Sequence, residues 1–173
     1  MKNKKALSAV VTTVILILLV TVATAIVWTF VKKIIEDRTS QTETCFKVES
    51  SEKVTLNDYY TCFDSENGEV QFSLSITDIE VQAIVISILA EGNSKSFTLT
   101  NDSTVIANLR NYKGSVGESV KLPGKNEGLT YVASGFEGAN KIDWIKISPI
   151  IDDKQCESTD TISQVEDCTL LVN

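Results

Sequence analysis

From Ala6 to Val31 the chain carries no charged residue, and at about 1.5 Å per helical residue this run reaches roughly 39 Å. A bilayer's hydrocarbon core is about 30 Å thick and takes ~20 apolar residues, so a helix over 7–35 is long enough to cross it. The run is rich in Val, Ile and Thr, which are mediocre helix formers in water. In lipid only a helix satisfies its own backbone, so that composition does not weaken the prediction. Lys2, Lys4 and Lys5 hold the N-terminus on the cytoplasmic side by the positive-inside rule, and the chain beyond Lys33 then lies outside. Thr21, Ala25 and Thr29 recur every four residues and share one face. Small residues at that spacing allow close helix approach, and the threonine hydroxyls can bond back to the preceding turn.

Beyond the apolar run the pattern changes. Residues 36–44 are polar without an apolar stripe, and they read as a neck where the helix frays. Val70, Phe72, Leu74 and Ile76 then alternate with Gln71, Ser73, Ser75 and Thr77, the period of a half-buried strand. Ala83–Ala90 is nearly continuous apolar sequence and reads as a central strand buried on both faces. A turn at Glu91-Gly92-Asn93-Ser94 leads into Lys95–Thr100, with Phe97 and Leu99 on one face. Further strands are expected over Thr104–Leu109, Ser119–Leu122, Leu129–Ser134 and Lys141–Ile147. In the last, Trp144 and Ile145 break the alternation and predict a bulge or a change of face. Many short strands between Gly, Asn and Ser turns predict a β-sandwich-like head over 45–173. The fold class is therefore α+β, a long hydrophobic N-terminal helix followed by an all-β head.

Three readings of the N-terminus compete. An ordinary secretory signal would use Ala23-Thr24-Ala25 as its cleavage site, but the apolar core before it is long and hydrophobicity continues through Ile26, Val27, Trp28, Phe30 and Val31. An uncleaved anchor is the second. The third rests on Lys5-Ala6-Leu7-Ser8-Ala9-Val10-Val11, which resembles the N-terminus of archaeal type IV pilin-like proteins and archaellins. There a prepilin peptidase cuts a class III signal peptide after a basic residue plus Gly or Ala and leaves the apolar run on the mature chain. The resemblance implies a leader of residues 1–6 and a scissile bond between Ala6 and Leu7. It spans Met1–Val31 and is loose beyond. Bacterial pilins usually carry Glu at the fifth mature position, where this chain has Val11, so the likeness is to the archaeal branch.

The formal net charge is −7, and loss of the leader's lysines would leave the chain more acidic still. Such a head repels nucleic acid and anionic surfaces, so no nucleic-acid partner is expected. Cys45, Cys62, Cys156 and Cys168 form two sequence-local pairs without metal-ligand spacing, in a chain with His 0. Outside the cell they read as two disulfides. Three connectivities remain open, with proximity favouring Cys45–Cys62 and Cys156–Cys168.

Candidate chemistry is sparse. Without histidine there is no Ser-His or Cys-His pair and no imidazole ligand. Ser50-Ser51-Glu52-Lys53 has Ser-x-x-Lys spacing but lacks the partner motifs. Asp64–Glu69 has the look of a calcium loop, yet Ser75 stands where a bidentate Glu belongs, and Asn-Gly marks a turn. Asp152-Asp153 reads as a solvated turn, and Gly114-x-x-Gly117 lacks a third glycine. No catalytic residue, metal ligand or cofactor site is expected. Asn101-Asp102-Ser103 is a glycosylation sequon between two predicted strands, which makes Asn101 a candidate acceptor.

These readings converge on a structural subunit of a type IV pilus-like surface filament, serving adhesion, attachment or motility. The resemblance implies as partners other copies of the chain, the prepilin peptidase, the pilus assembly machinery and the membrane. Its location would be the membrane before assembly and the cell surface after it. The alternative is a monomeric, membrane-anchored extracellular binding module with a β-sandwich head.

Overall fold

The computed structural model describes residues 3–49 and 52–168, and their side chains except those of 3–10, 37–44, 47 and 49. It divides into two compact units, Met1–Thr42 and Glu43–Asn173. Helix α1 runs over Asn3–Glu49, 47 residues. The polar neck expected at 36–44 is thus helical rather than frayed. The chain has no glycine or proline before Gly68, so nothing in this stretch removes a helical hydrogen bond or adds backbone entropy. Within the first unit, the Thr21 and Thr29 hydroxyls donate to the carbonyls of Leu18 and Ile26, at 2.9 and 2.7 Å.

The second unit is β-rich. Its strands are β1 (Val54–Leu56), β2 (Cys62–Asp64), β3 (Glu69–Ile76), β4 (Ala83–Ala90), β5 (Asn93–Thr100) and β6 (Leu109–Asn111). Then come β7 (Glu127–Ala133), β8 (Trp144–Ile151), β9 (Lys154–Gln155), β10 (Asp160–Ile162) and β11 (Glu166–Asp167). One sheet has the order β11-β2-β3-β7-β6, with β1 also on β3; the other is β10-β8-β4-β5, with β9 on β8. All pairings are antiparallel except β11 with β2. One hydrophobic core takes side chains from both sheets, and together with α1 this makes the chain α+β.

Strand β3 follows its sequence pattern, with Val70, Phe72, Leu74 and Ile76 all buried. Phe72 stacks on Tyr131 of β7 at 5.6 Å, and the Tyr131 hydroxyl donates to the Lys121 carbonyl at 2.6 Å. Burial raises the Tyr131 pKa far above that of a free phenol, so this donor keeps its proton. Strand β4 departs from its reading. It is central, between β5 and β8, yet Ile84, Ile86 and Ile88 are fully buried whereas Val85, Ser87 and Leu89 are only half-buried. Its apolar run reflects one core face and one partly covered face.

No bulge interrupts β8. It alternates from Trp144 to Ile151 and stays in register with β4 from Leu89↔Trp144 to Ala83↔Ile150. The irregularity falls earlier, where Ile142 turns inward ahead of the strand. Pro149 continues the strand because its backbone faces the gap between β9 and β10, where its carbonyl accepts the Cys156 N–H at 2.9 Å. Apart from Leu109, which opens β6, the strands expected at 104–109 and 119–122 reduce to one bridge, Thr104↔Val120, although Val120 and Leu122 are buried. The turn into β5 is shorter than expected: Glu91 and Gly92, with φ of 47° and 85°, join Ala90 to its partner Asn93.

Ile86→Ala should lower unfolding free energy by about 2–5 kcal/mol, because it empties a fully enclosed site. Val85→Ala should cost clearly less. Chemical denaturation of the full chain in micelles checks both; equal costs would mean that β4 is buried on its two faces alike.

Candidate functional site

Over Val11–Glu36 helix α1 presents an uncovered apolar surface. In the most apolar window of Val11–Glu36 the mean hydropathy is 2.7, and none of that window is buried within the structure. Leu16, Leu19, Val27, Trp28 and Phe30 are all more than half exposed. A helix apolar on every side must be covered by lipid or by other apolar helices. Thr21, Ala25 and Thr29 lie exposed on this helix. Lys5, Ala6 and Leu7 fall within its backbone, but their side chains lie outside the described residues, as do Met1 and Lys2 altogether.

The disulfides are crossed, Cys45–Cys156 and Cys62–Cys168, with Cα separations of 5.3 and 4.8 Å. The local pairing expected from proximity is wrong. Between Cys45 and Cys62 the chain builds β1 and a short 3-10 helix, Asp58–Tyr60, which carry the two cysteines apart. Between Cys156 and Cys168 it passes from one sheet to the other, pairing first as β10 with β8 and then as β11 with β2. The β11–β2 register sets Glu166 opposite Cys62 and brings Cys168 beside it. At the other bond, Val48 is fully buried one turn beyond Cys45 and fixes the last turn of α1 in the core.

The remaining candidate motifs resolve into turns. Asp64 Oδ1 accepts the backbone N–H groups of Glu66 and Asn67, and Oδ2 accepts Asn67 Nδ2 at 2.8 Å. These bonds hold its pKa below the ordinary carboxylate value, the Asn67 side chain first among them. The turn therefore keeps their stabilisation at neutral pH and loses it as pH falls through that lowered value. Asp152 and Asp153 form a positive-φ turn between β8 and β9. Gly114 donates its N–H to the Asn111 carbonyl, and of the Ser-x-x-Lys motif Ser50 and Ser51 lie outside the described residues. Asn101 is exposed, and its Nδ2, the atom a glycan would join, donates to the Val81 carbonyl at 3.1 Å. Among the described residues, no three His, Cys, Asp or Glu side chains gather as metal ligands.

Two concave sites were not read from the sequence. One, of about 210 Å³, contains the Arg110–Glu69 ion pair at 2.8 Å and abuts Cys168. The other, of about 400 Å³, is lined by Asp58, Tyr59, Thr61, Thr161, Ile162, Ser163, Gln164 and Glu166. Its walls are the 3-10 helix and the crossing between β10 and β11, held together by Cys62–Cys168. The adjacent tyrosines after Asp58 were its one sequence signal. No family model matches the chain, and neither a curated protein nor a solved structure matches it.

Non-reducing peptide mapping should recover Cys45 with Cys156 and Cys62 with Cys168. On the chain-entropy model the first bond to close a loop this long contributes about 4–5 kcal/mol. The second then closes only the shorter circuit through 45–62 and 156–168, contributing about 3.5 kcal/mol. Cys62→Ser with Cys168→Ser should accordingly lower stability by roughly 2–4 kcal/mol in chemical denaturation. Recovery of Cys45 linked to Cys62 would overturn the assignment.

Proposed function

We propose that the protein is a structural subunit of a type IV pilus-like surface filament, similar to archaeal pilins. The observation that carries this reading is an apolar helical span, uncovered over Val11–Glu36, on a chain whose β head is stapled by two disulfides. The helix needs an apolar environment, and disulfides belong to an oxidising compartment. Lys5-Ala6-Leu7-Ser8 supplies a processing site on the cytoplasmic side of the run. In this reading a prepilin peptidase removes residues 1–6, and assembly machinery draws the subunit out of the membrane. Helices then exchange lipid for one another in a filament core. Head-to-tail contacts that do not close into a ring extend without limit, which is the geometry of a filament. The acidic, polar heads keep its exterior soluble, and its role is attachment or motility rather than catalysis.

A second reading, a monomeric anchored binding module, draws on the cleft beside Tyr59, because a head that only coats a filament needs no concave polar site. The two readings part at the helix. In a filament the face bearing Thr21, Ala25 and Thr29 meets a neighbour in every subunit, and overpacking it costs about 1–3 kcal/mol per contact. In fluid lipid Leu is at least as comfortable as Ala.

Ala25→Leu should abolish or shorten surface filaments while leaving membrane insertion unchanged, as seen by electron microscopy and membrane fractionation. Filaments of normal length would show that this face does not pack. Mass spectrometry of the native protein should find an N-terminal peptide beginning at Leu7. A start at Ile26 would indicate ordinary signal cleavage and remove the filament reading.

A further inference from the structure

The cleft beside the Cys62–Cys168 disulfide combines three features that fit one kind of ligand. Its first feature is an aromatic platform. Tyr59 is 83% exposed at the rim, and its neighbour Tyr60 is 60% exposed. Large aromatic side chains normally bury most of their surface, so two adjacent exposed tyrosines leave an apolar ring face uncovered.

The second feature is free hydrogen-bonding capacity. Among the described residues, the side chains of Asp58, Tyr59, Ser163, Gln164 and Glu166 make no hydrogen bond within the head. They offer carboxylate acceptors, hydroxyls and an amide around one concavity. Thr61 and Thr161 add hydroxyls already engaged, with the Asn57 carbonyl and with Ser158 Oγ.

The third feature is rigidity. Asn57 caps the 3-10 helix by accepting the Tyr59 N–H at 3.0 Å, and the Asp160 carboxylate accepts the Leu56 N–H at 2.8 Å, tying the end of β1 to the start of β10 behind the two walls. With the disulfide, these contacts fix the cleft before any ligand arrives, which lowers the entropic cost of binding.

We propose that this cleft binds a neutral carbohydrate, with Tyr59 stacking on the C–H face of a sugar ring. Asp58, Ser163, Gln164 and Glu166 exchange hydrogen bonds with its hydroxyls. None of the described lining residues is basic and the chain is acidic, so nucleic acids, sulfated glycans and anionic lipid headgroups are disfavoured. Among the described lining residues Ile162 is the only aliphatic one, and it is buried, too little apolar surface for a lipid tail or a hydrophobic peptide anchor. Among the described lining residues uncharged polar groups outnumber the two carboxylates, which favours a polyhydroxylated ligand over a basic peptide. The inference concerns the head alone and goes beyond the filament reading, since it holds whether or not the chain assembles.

The test uses the full-length protein in a sugar-free zwitterionic detergent. Binding is measured to immobilised maltohexaose, cellohexaose and mannan and, separately, to a lysine-rich peptide. At least one neutral glycan should bind saturably and with little dependence on salt. Tyr59→Ala should weaken that binding about tenfold, the size expected for loss of an aromatic contact, and Tyr59→Phe should retain most of it. Val116→Ala, at an exposed position outside the cleft, should bind as wild type. No binding to any of these glycans would overturn the proposal. So would glycan binding indifferent to Tyr59→Ala, or binding to the lysine-rich peptide alone that salt abolishes, which would assign the cleft to a cationic partner. Circular dichroism of each variant excludes misfolding as the cause of a loss.

Discussion

The two ends of the β head are built from strands too short to hold themselves. β1 and β10 have three residues each, and β9 and β11 only two. Strands of that length bury little surface and make few ladder bonds, so alone they would fray. The crossed disulfides change this. Each joins a residue ahead of β3 to one beyond β8, so the first and last segments of the head restrain each other around the long central strands. That restraint reinforces the parallel β11–β2 pairing, the seating of Val48 and the walls of the Tyr59 cleft.

The core between the sheets supplies cooperativity that the staples cannot. β3, β7, β4 and β8 run seven or eight residues each and carry the inward rows of Val, Ile, Leu and Phe. Tyr131 is the one phenol among them, admitted because its hydroxyl reaches the Lys121 carbonyl. Among the described residues every buried side-chain polar atom has a partner, which is what a low-dielectric interior demands. Gly68 marks how tightly the edges are drawn in: its φ is 63°, and a Cβ there would meet the backbone of Glu137 at 2.5 Å. A side chain at that position would displace the segment on which the β2–β3 hairpin rests.

Helix α1 follows a different logic. Over Val11–Glu36 its apolar residues are not covered within the structure, so their free energy is settled by whatever surrounds them. Lipid and a bundle of like helices both meet the requirement, and a chain that moves from one to the other keeps its apolar surface covered. The threonines suit both environments, because Thr21 and Thr29 satisfy their hydroxyls on their own helix.

Local sequence determined the elements whose residues answer to their immediate neighbours. The apolar helix was legible because a long uncharged run has one solution in lipid, and β3 and β5 were legible because alternation at Val70–Ile76 and at Phe97 and Leu99 reports a single buried face. The full length of α1 is not legible from polarity, because residues 36–44 look like a neck whereas the absence of glycine and proline lets the helix continue to Glu49. Continuous apolar sequence in β4 could not reveal that Val85 and Leu89 face a half-covered surface, since hydrophobicity records tolerance of burial rather than its extent. Disulfide pairing and the Tyr59 cleft were decided by tertiary structure alone. Both depend on the C-terminal segment crossing from the β8 sheet to the β2 sheet, which sets Cys168 beside Cys62 and closes one wall against the 3-10 helix. That crossing is a choice among long-range strand partners, and spacing along the chain carries no information about which distant edge a two-residue strand will find.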